Sequence, residues 1–295
     1  MSAPVPPRLL CVGDLNLDLV ITPAHGLVVG SDTPGEVAMS GGGSAANVAA
    51  WAVAAGVDAR FVGTIGDDPT GALLTSSLAA QGVEVVPIVR SSARSRTVAV
   101  IVGADGERSM VSDLDPSVAL VLDDLDQRWF DGVHWLHLTG YSAIEPATRP
   151  LFAALLDAAR RRGLPCSIDP SSADLLRRSF ERHEARSAFR GVDVLFPNRD
   201  EAAFLTGLDD PAAAATDLLE LAATVAVTCA SQGAVIATRG EPLRHVAAQP
   251  VHVTNALGAG DAFAGGFLAG VLMGTDPAAL AVATAARAVA ISTAR

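Results

Sequence analysis

The chain has 295 residues, 50% hydrophobic and 18% charged, a globular composition long enough to bury a large core and incompatible with global disorder. Its net charge of −11 opposes non-specific binding to nucleic acid or anionic lipid, though not the capture of one phosphate group by local amide donors. All 21 basic residues are Arg, and the lack of any Lys excludes Schiff-base and pyridoxal-phosphate chemistry, the P-loop and the protein-kinase lysine.

In chain order, Leu9 to Val12 reads as an apolar strand, Ser44 to Ala55 as a helix and Phe61-Val62 as a short strand. Pro69 to Ala80 is a predicted helix with Pro69 suited to its first turn. Val83 to Val89 and Val133 to Leu138 are predicted strands, followed by a helix from about Glu145 to Arg162. Strands come next at Pro165 to Ile168, ending at Asp169, and at Val194 to Phe196, ending at Pro197-Asn198. Pro211 to Ala223 reads as a helix, Val225 to Cys229 as a strand, and Ala234 to Thr238 as a hairpin with Leu243 to Val246. Two Ala-rich helices, Ala262 to Met273 and Pro277 to Thr293, close the chain.

Wholly apolar strands alternating with helices predict an α/β fold with a mainly parallel sheet covered on both faces. Asp18 to Ser40 and Thr97 to Val111 break the rhythm with strand-like pieces, the second around an Asp105-Gly106 turn, and predict a small β flap outside the main sheet. No internal repeat or linker marks a second domain, so residues 1–295 are expected to form one. Cys11, Cys166 and Cys229 lie far apart and read as buried structural thiols. Without an apolar leader or a membrane-length apolar run, the expected location is the cytoplasm.

Four segments carry candidate chemistry. In Asn255-Ala256-Leu257-Gly258-Ala259-Gly260-Asp261, glycines precede a helical run, so their N–H groups can converge on an anion while Asp261 takes a proton from a hydroxyl. A Gly-rich turn with Asp as N-cap explains the same residues equally well. Gly41-Gly42-Gly43-Ser44-Ala45-Ala46-Asn47 formally matches a dinucleotide fingerprint, but it does not follow the first strand directly. A Gly-rich wall for a polyol, with Asn47 bonding a hydroxyl, ranks above close helix packing and well above dinucleotide binding. Asn16 and Asp18, after the first strand, share a face if the chain stays extended and suit sugar hydroxyls; a polar turn is the simpler local reading. Asn198 and Glu201, three residues apart, suit a hydrated Mg²⁺, although an N-cap with a capping box is favoured locally.

Taken in order, these segments resemble the ribokinase-like (PfkB) carbohydrate kinase family. The Gly-Gly to Asn47-Val48-Ala49 block resembles its N-terminal signature, and Leu257 to Phe263 its C-terminal one. Gly63-Thr64-Ile65-Gly66-Asp67-Asp68-Pro69-Thr70-Gly71 and Asn198-Arg199-Asp200-Glu201 also fit, so the likeness spans nearly the whole chain. The resemblance implies a three-layer α/β/α core, a β lid at about residues 14–40 and 92–113, and ATP-dependent phosphorylation of a sugar or sugar acid. It implies Asp261 as general base and amides of Gly258, Ala259 and Gly260 as anion hole. Asn198 and Glu201 would organise Mg²⁺ through water. Asn16, Asp18, Gly42, Gly43 and Asn47 would contact the acceptor, and Thr228 and Gly233 the nucleotide. A homodimer through the lid also follows from the resemblance.

The chain departs from the family pattern at three places. Asn255 stands where the family has Asp, which weakens the case for a monovalent cation. Ser44 replaces the Lys of ribokinases and argues against ribose, and Ala230 replaces a Gly of the nucleotide-side pattern. Rival readings are a nucleoside kinase, disfavoured by 4% aromatic content, a sugar- or nucleotide-binding sensor without turnover, and, weakly, a nicotinamide oxidoreductase. Asp169 reads as a support for Mg²⁺ or a turn, Arg96 and Arg108 as lid charges that are solvated by default or else meet substrate or phosphate, Tyr141 as a pocket residue and Trp51 as core. His134, His137 and His183 show no metal spacing and read as core or surface residues.

Overall fold

A computed structural model describes residues 6–103, 108–113, 115–251 and 257–291. The chain runs β1 (Arg8–Val12), β2 (Asn16–Pro23), β3 (Gly35–Gly42), α1 (Ser44–Ala54), β4 (Asp58–Gly66), α2 (Pro69–Ala80), β5 (Glu84–Arg90), β6 (Thr97–Val102) and β7 (Arg108–Ser112). It continues through β8 (Trp135–Thr139), α3 (Gly140–Ile144), α4 (Arg149–Arg162), β9 (Cys166–Asp169), α5 (Ala173–Ser179), α6 (Arg182–Ala188), β10 (Val192–Leu195), α7 (Arg199–Thr206) and α8 (Pro211–Asp217). It ends with β11 (Ala222–Thr228), β12 (Ala234–Thr238), β13 (Arg244–Val246), α9 (Ala259–Met273) and α10 (Pro277–Ile291).

Among the described residues, nine strands form one sheet in the order β13-β12-β11-β10-β9-β8-β1-β4-β5. All its pairs are parallel except β11–β12 and β12–β13. Alternate residues of β1 feed two cores. Leu9 and Cys11 pack with α1, α2, α9 and α10, whereas Leu10 and Val12 pack with α4 to α8. That split is the expected mark of a sheet buried on both faces. The chain leaves β1 toward β4 and leaves β8 toward β9, so the strand order reverses between β1 and β8. A crevice opens outside the carboxyl ends of strands at such a point.

The expected flap is a separate sheet in the order β3-β2-β6-β7. Register places Asp18, Val98 and Ser112 side by side on one face, with Val20, Val100 and Met110 next along. Leu19, Met39, Ala99 and Val111 share the other face. The Asp105-Gly106 turn lies outside the described residues.

Several boundaries differ from the sequence expectations. The strand expected at Phe61-Val62 runs from Asp58 to Gly66. The helix expected from Glu145 begins at Arg149 as α4, with Pro150 accepted in its first turn because that position needs no N–H donor, and a short helix that was not anticipated, α3, lies just before Glu145. The helix expected to reach Ala223 stops at Asp217, and Ala222 is already paired in β11. Helices α5 and α6, not anticipated, fill the chain between β9 and β10. Trp51 is half-buried rather than core, and the three cysteines are free and buried. Among the described residues no helix is long and apolar enough to cross a membrane.

Candidate active site

A cleft of about 950 Å³ lies at the reversal of strand order, between the carboxyl ends of the main sheet and the small sheet. Val98, Val100 and Met110 line it from the small sheet; Asp169, Asn198 and Thr228 line it from the ends of β9, β10 and β11. Helices α1 and α9 deliver their N-termini to the same cleft. They can do so because Gly265 of α9 sits against the backbone of Val48 and Ala52 in α1, where a Cβ would meet atoms at 2.8 to 3.0 Å.

Gly258, in the left-handed region at φ 75°, caps α9 and turns the chain into it. The N–H groups of a first helical turn have no carbonyl partner within the helix, so they stand ready for an anion. Gly258 and Gly260 line the cleft, and the Cβ position of Gly260 faces open space. Asp261, in that first turn, accepts from Ser44 Oγ at 2.7 Å and from Asn47 Nδ2 at 2.8 Å. Burial pushes its carboxyl up to about 6 against the pull of those two donors, and the nearby charges of Asp14 and Asp18 add to the rise. A carboxylate in this position can accept a proton from a hydroxyl in the cleft.

Asn16 and Asp18 face the cleft side by side, with Asn16 Nδ2 donating to Asp18 Oδ1 at 2.5 Å. Burial and the Asp14 charge raise the Asp18 carboxyl to about 6. Gly42 does not itself line the cleft, but its missing side chain leaves room for the Asp18 carboxylate, which a Cβ would overlap. Gly43 holds φ 108° with the Asp14 carbonyl against its α-carbon. Asp14 then takes Ser44 N–H at 2.7 Å, tying the start of α1 to the end of β1.

At the other end of the cleft, Asn198 and Glu201 form the capping box favoured locally. Glu201 N–H donates to Asn198 Oδ1 at 2.9 Å and Asn198 N–H to Glu201 Oε2 at 2.8 Å, a complete capping box that also lines the cleft. Burial drives the Glu201 carboxyl up to about 7. Asp169 is raised well above the usual carboxylate range by burial and by the charges of Glu201 and Asp261. Thr228 bridges to Asn198 and lines the cleft. Gly233 does not. It turns the chain from β11 to β12 at φ 89°, and its α-carbon lies against the Val246 carbonyl, so the glycine serves a tight turn.

Arg96 is not a solvated charge. Its Nη2 donates to both carboxylate oxygens of Glu145, at 2.8 and 2.9 Å, linking the small sheet to the segment between α3 and α4. Tyr141 lines the cleft, 37% exposed. His137 is fully buried, with Nδ1 2.9 Å from Ser167 Oγ. Among the described residues no three His, Cys, Asp or Glu side chains converge as a metal site. Asn255 and Ala256 lie outside the described residues, and so does the Arg108 side chain. Ser44, Asp14 and Glu145 were not assigned roles from the sequence. Only proximity in the folded chain reveals them, since Ser44 and Asp261 are 217 positions apart.

The family model described as pfkB family carbohydrate kinase matches residues 6–294. The chain belongs to the pfkB family of carbohydrate kinases. It is similar to a fructokinase of Klebsiella pneumoniae, 33% identical over 271 residues that cover 90% of this chain and 84% of that protein. Among solved structures, it is similar to a probable sugar kinase from Rhizobium etli CFN 42, with TM-score 0.85 and 26% identity over 96% of this chain and 93% of that one. An adenosine kinase from Sinorhizobium meliloti is equally close in fold, with TM-score 0.85 and 25% identity over 96% and 94%. As a pfkB family member the protein is a sugar kinase, with the α/β sheet and flanking helices of its structural neighbours.

Proposed function

We propose that the protein transfers the γ-phosphoryl group of ATP to a hydroxyl of a small neutral sugar. The observation that carries this reading is the Asp261 carboxylate beside the open N–H groups of α9, facing the Asn16–Asp18 pair in one cleft. In the reaction, the acceptor O–H gives its proton to Asp261 while its oxygen bonds to the γ-phosphorus. The bond from that phosphorus to the bridging oxygen breaks, and ADP leaves. The amides of Gly258, Ala259 and Gly260 hold the equatorial phosphoryl oxygens as charge shifts. Asn16, Asp18, Gly43 and Asn47 orient the acceptor, and Gly42 makes room for the Asp18 carboxylate. Asn198 and Thr228 face the nucleotide, and the small sheet acts as the lid that excludes water.

The donors near Asn198 fit Mg²⁺. Asp169 and Glu201 are carboxylates raised first by burial, and Asp169 further by the charges of Glu201 and Asp261, so oxygen donors that a hard cation prefers gather at this end of the cleft. Both Glu201 oxygens already accept from Asn198, so the ion would be held through water and the nucleotide's phosphates. When bound, Mg²⁺ supplies charge neutralisation at the phosphates.

Carboxylates outnumber guanidiniums around the cleft. Asp14, Asp18, Asp113, Glu145, Asp169, Glu201 and Asp261 face Arg96, Arg149 and Arg178, and this balance favours an uncharged acceptor over a sugar acid. The outer face of the small sheet, with Val37, Met39 and Val111 each more than 60% exposed, fits a homodimer. A panel of D-fructose, D-ribose, a sugar acid and adenosine with ATP and Mg²⁺, read by product mass, tests the reading. A phosphorylated neutral sugar is expected. Phosphorylation of adenosine alone would replace it with a nucleoside kinase, and no product from any acceptor would favour a binding protein.

A further inference from the structure

Ser44 and Asn47 stand one turn apart on the same face of α1, and each donates to a different oxygen of Asp261. The carboxylate plane is therefore pinned from one side, and its remaining lone pairs are left toward the cleft. Ser44 is itself anchored. Asp14 accepts its N–H at 2.7 Å, and the other Asp14 oxygen takes Ala45 N–H and Thr139 Oγ1, each at 3.4 Å. A rigid path thus runs from the ends of β1 and β8 through Asp14 and Ser44 to Asp261.

We propose that Ser44 is a positioning residue for Asp261, whose hydroxyl both aims the carboxylate at the acceptor and keeps it ionised near neutral pH. The proposal rests on the reading of Asp261 as the base. Its electrostatic half follows from what surrounds the carboxylate. Asp14 between β1 and β2, Asp18 in β2, Asp169 at the end of β9 and Tyr141 in α3 all face it, and none of them lowers its proton affinity. Ser44 and Asn47 are the neighbours that do. With the hydroxyl removed, burial and the charges of Asp14 and Asp18 are opposed by Asn47 alone, so Asp261 takes up its proton at higher pH and loses its capacity to accept one.

The test is a ¹³C carboxyl NMR titration of the full chain labelled at aspartate, with the Asp261 signal assigned by its loss in Asp261→Asn. A hydrogen bond to a charged group is worth enough to move a midpoint by about one pH unit, so Ser44→Ala should titrate about one unit higher, whereas Ser44→Thr should stay at the wild-type value. With the acceptor that the panel identifies, Ser44→Ala should lose about tenfold in kcat at pH 8 with KM within about threefold. An Asp261 midpoint unchanged in Ser44→Ala, or moved as far in Ser44→Thr, would overturn the role of Ser44 while leaving the sugar-kinase reading intact. A wild-type protein that phosphorylates no acceptor would instead overturn Asp261 as a base, and this proposal with it.

Discussion

Ala230 holds a φ of +50°, in the left-handed region where a Cβ crowds the following carbonyl. It stands just after Thr228, in the turn that closes at Gly233, where the family pattern has glycine. The conformation gives the physical reason for that glycine. Ala230→Gly should relieve roughly 1 kcal/mol of strain, less a few tenths for the looser unfolded chain. In urea unfolding its midpoint should rise with the slope unchanged; a lower midpoint would show that the turn carries no strain. The candidate site was legible at this scale wherever its residues are contiguous. Gly258 to Asp261, and Asn198 with Glu201, act within one turn of helix, and spacing alone brings them together. Ser44 with Asp261 and Arg96 with Glu145 could not be read, because their pairing depends on how α1 meets α9 and how the small sheet meets the α3–α4 segment. Gly233 shows the opposite limit of spacing: a glycine demanded by a turn looks the same in sequence as one demanded by a ligand, and here the turn is the demand that the backbone displays.

The small sheet was legible as an element because its strands alternate and interrupt an otherwise regular βα rhythm. Its two faces differ in kind. One bears Asp18, Val98 and Ser112 and lines the cleft, while the other bears Leu19, Ile21, Val37, Met39 and Val111. The proposed homodimer would bury this apolar face, and a second copy seated on it would fix the small sheet's position over both clefts. Light scattering should show a dimer for the wild type and a monomer for Met39→Glu. A wild-type monomer at micromolar concentration would contradict this use of the face. Helices α5 and α6 were missed because each has only seven residues, too short for a hydrophobic period to declare itself. Helix α3, of five residues, was missed for the same reason.

At the scale of the whole molecule, the cleft concentrates carboxyls that the fold holds above their ordinary proton affinity. Asp18 and Asp261 lie near 6, Glu201 near 7, and Asp169 is raised with them, burial being the first cause in each. Such groups bind protons more readily folded than unfolded, so the folded state gains stability as pH falls through these values. Buried His137 works the other way, because burial lowers it to about 3 and the unfolded chain takes up its proton below about 6.5. Between pH 8 and 6.5 the carboxyls prevail, and the Tm of the ligand-free protein should rise by roughly 2 °C on acidification. A Tm that falls over that interval would mean the cleft carboxylates are neutralised by something else. The fold class and layer order were legible from the alternation of strands and helices. The charge of the cleft was not, since its acids come from segments that are remote in the chain. The proposed mechanism turns on one step, the passage of a proton from an acceptor hydroxyl to Asp261 as phosphorus changes partners. Rapid-quench measurement of product formation by Asp261→Asn at pH 8, with ATP affinity measured alongside, tests that step most directly. The rate should drop about 10²–10⁴-fold with ATP still bound normally; phosphoryl transfer at the wild-type rate would contradict it.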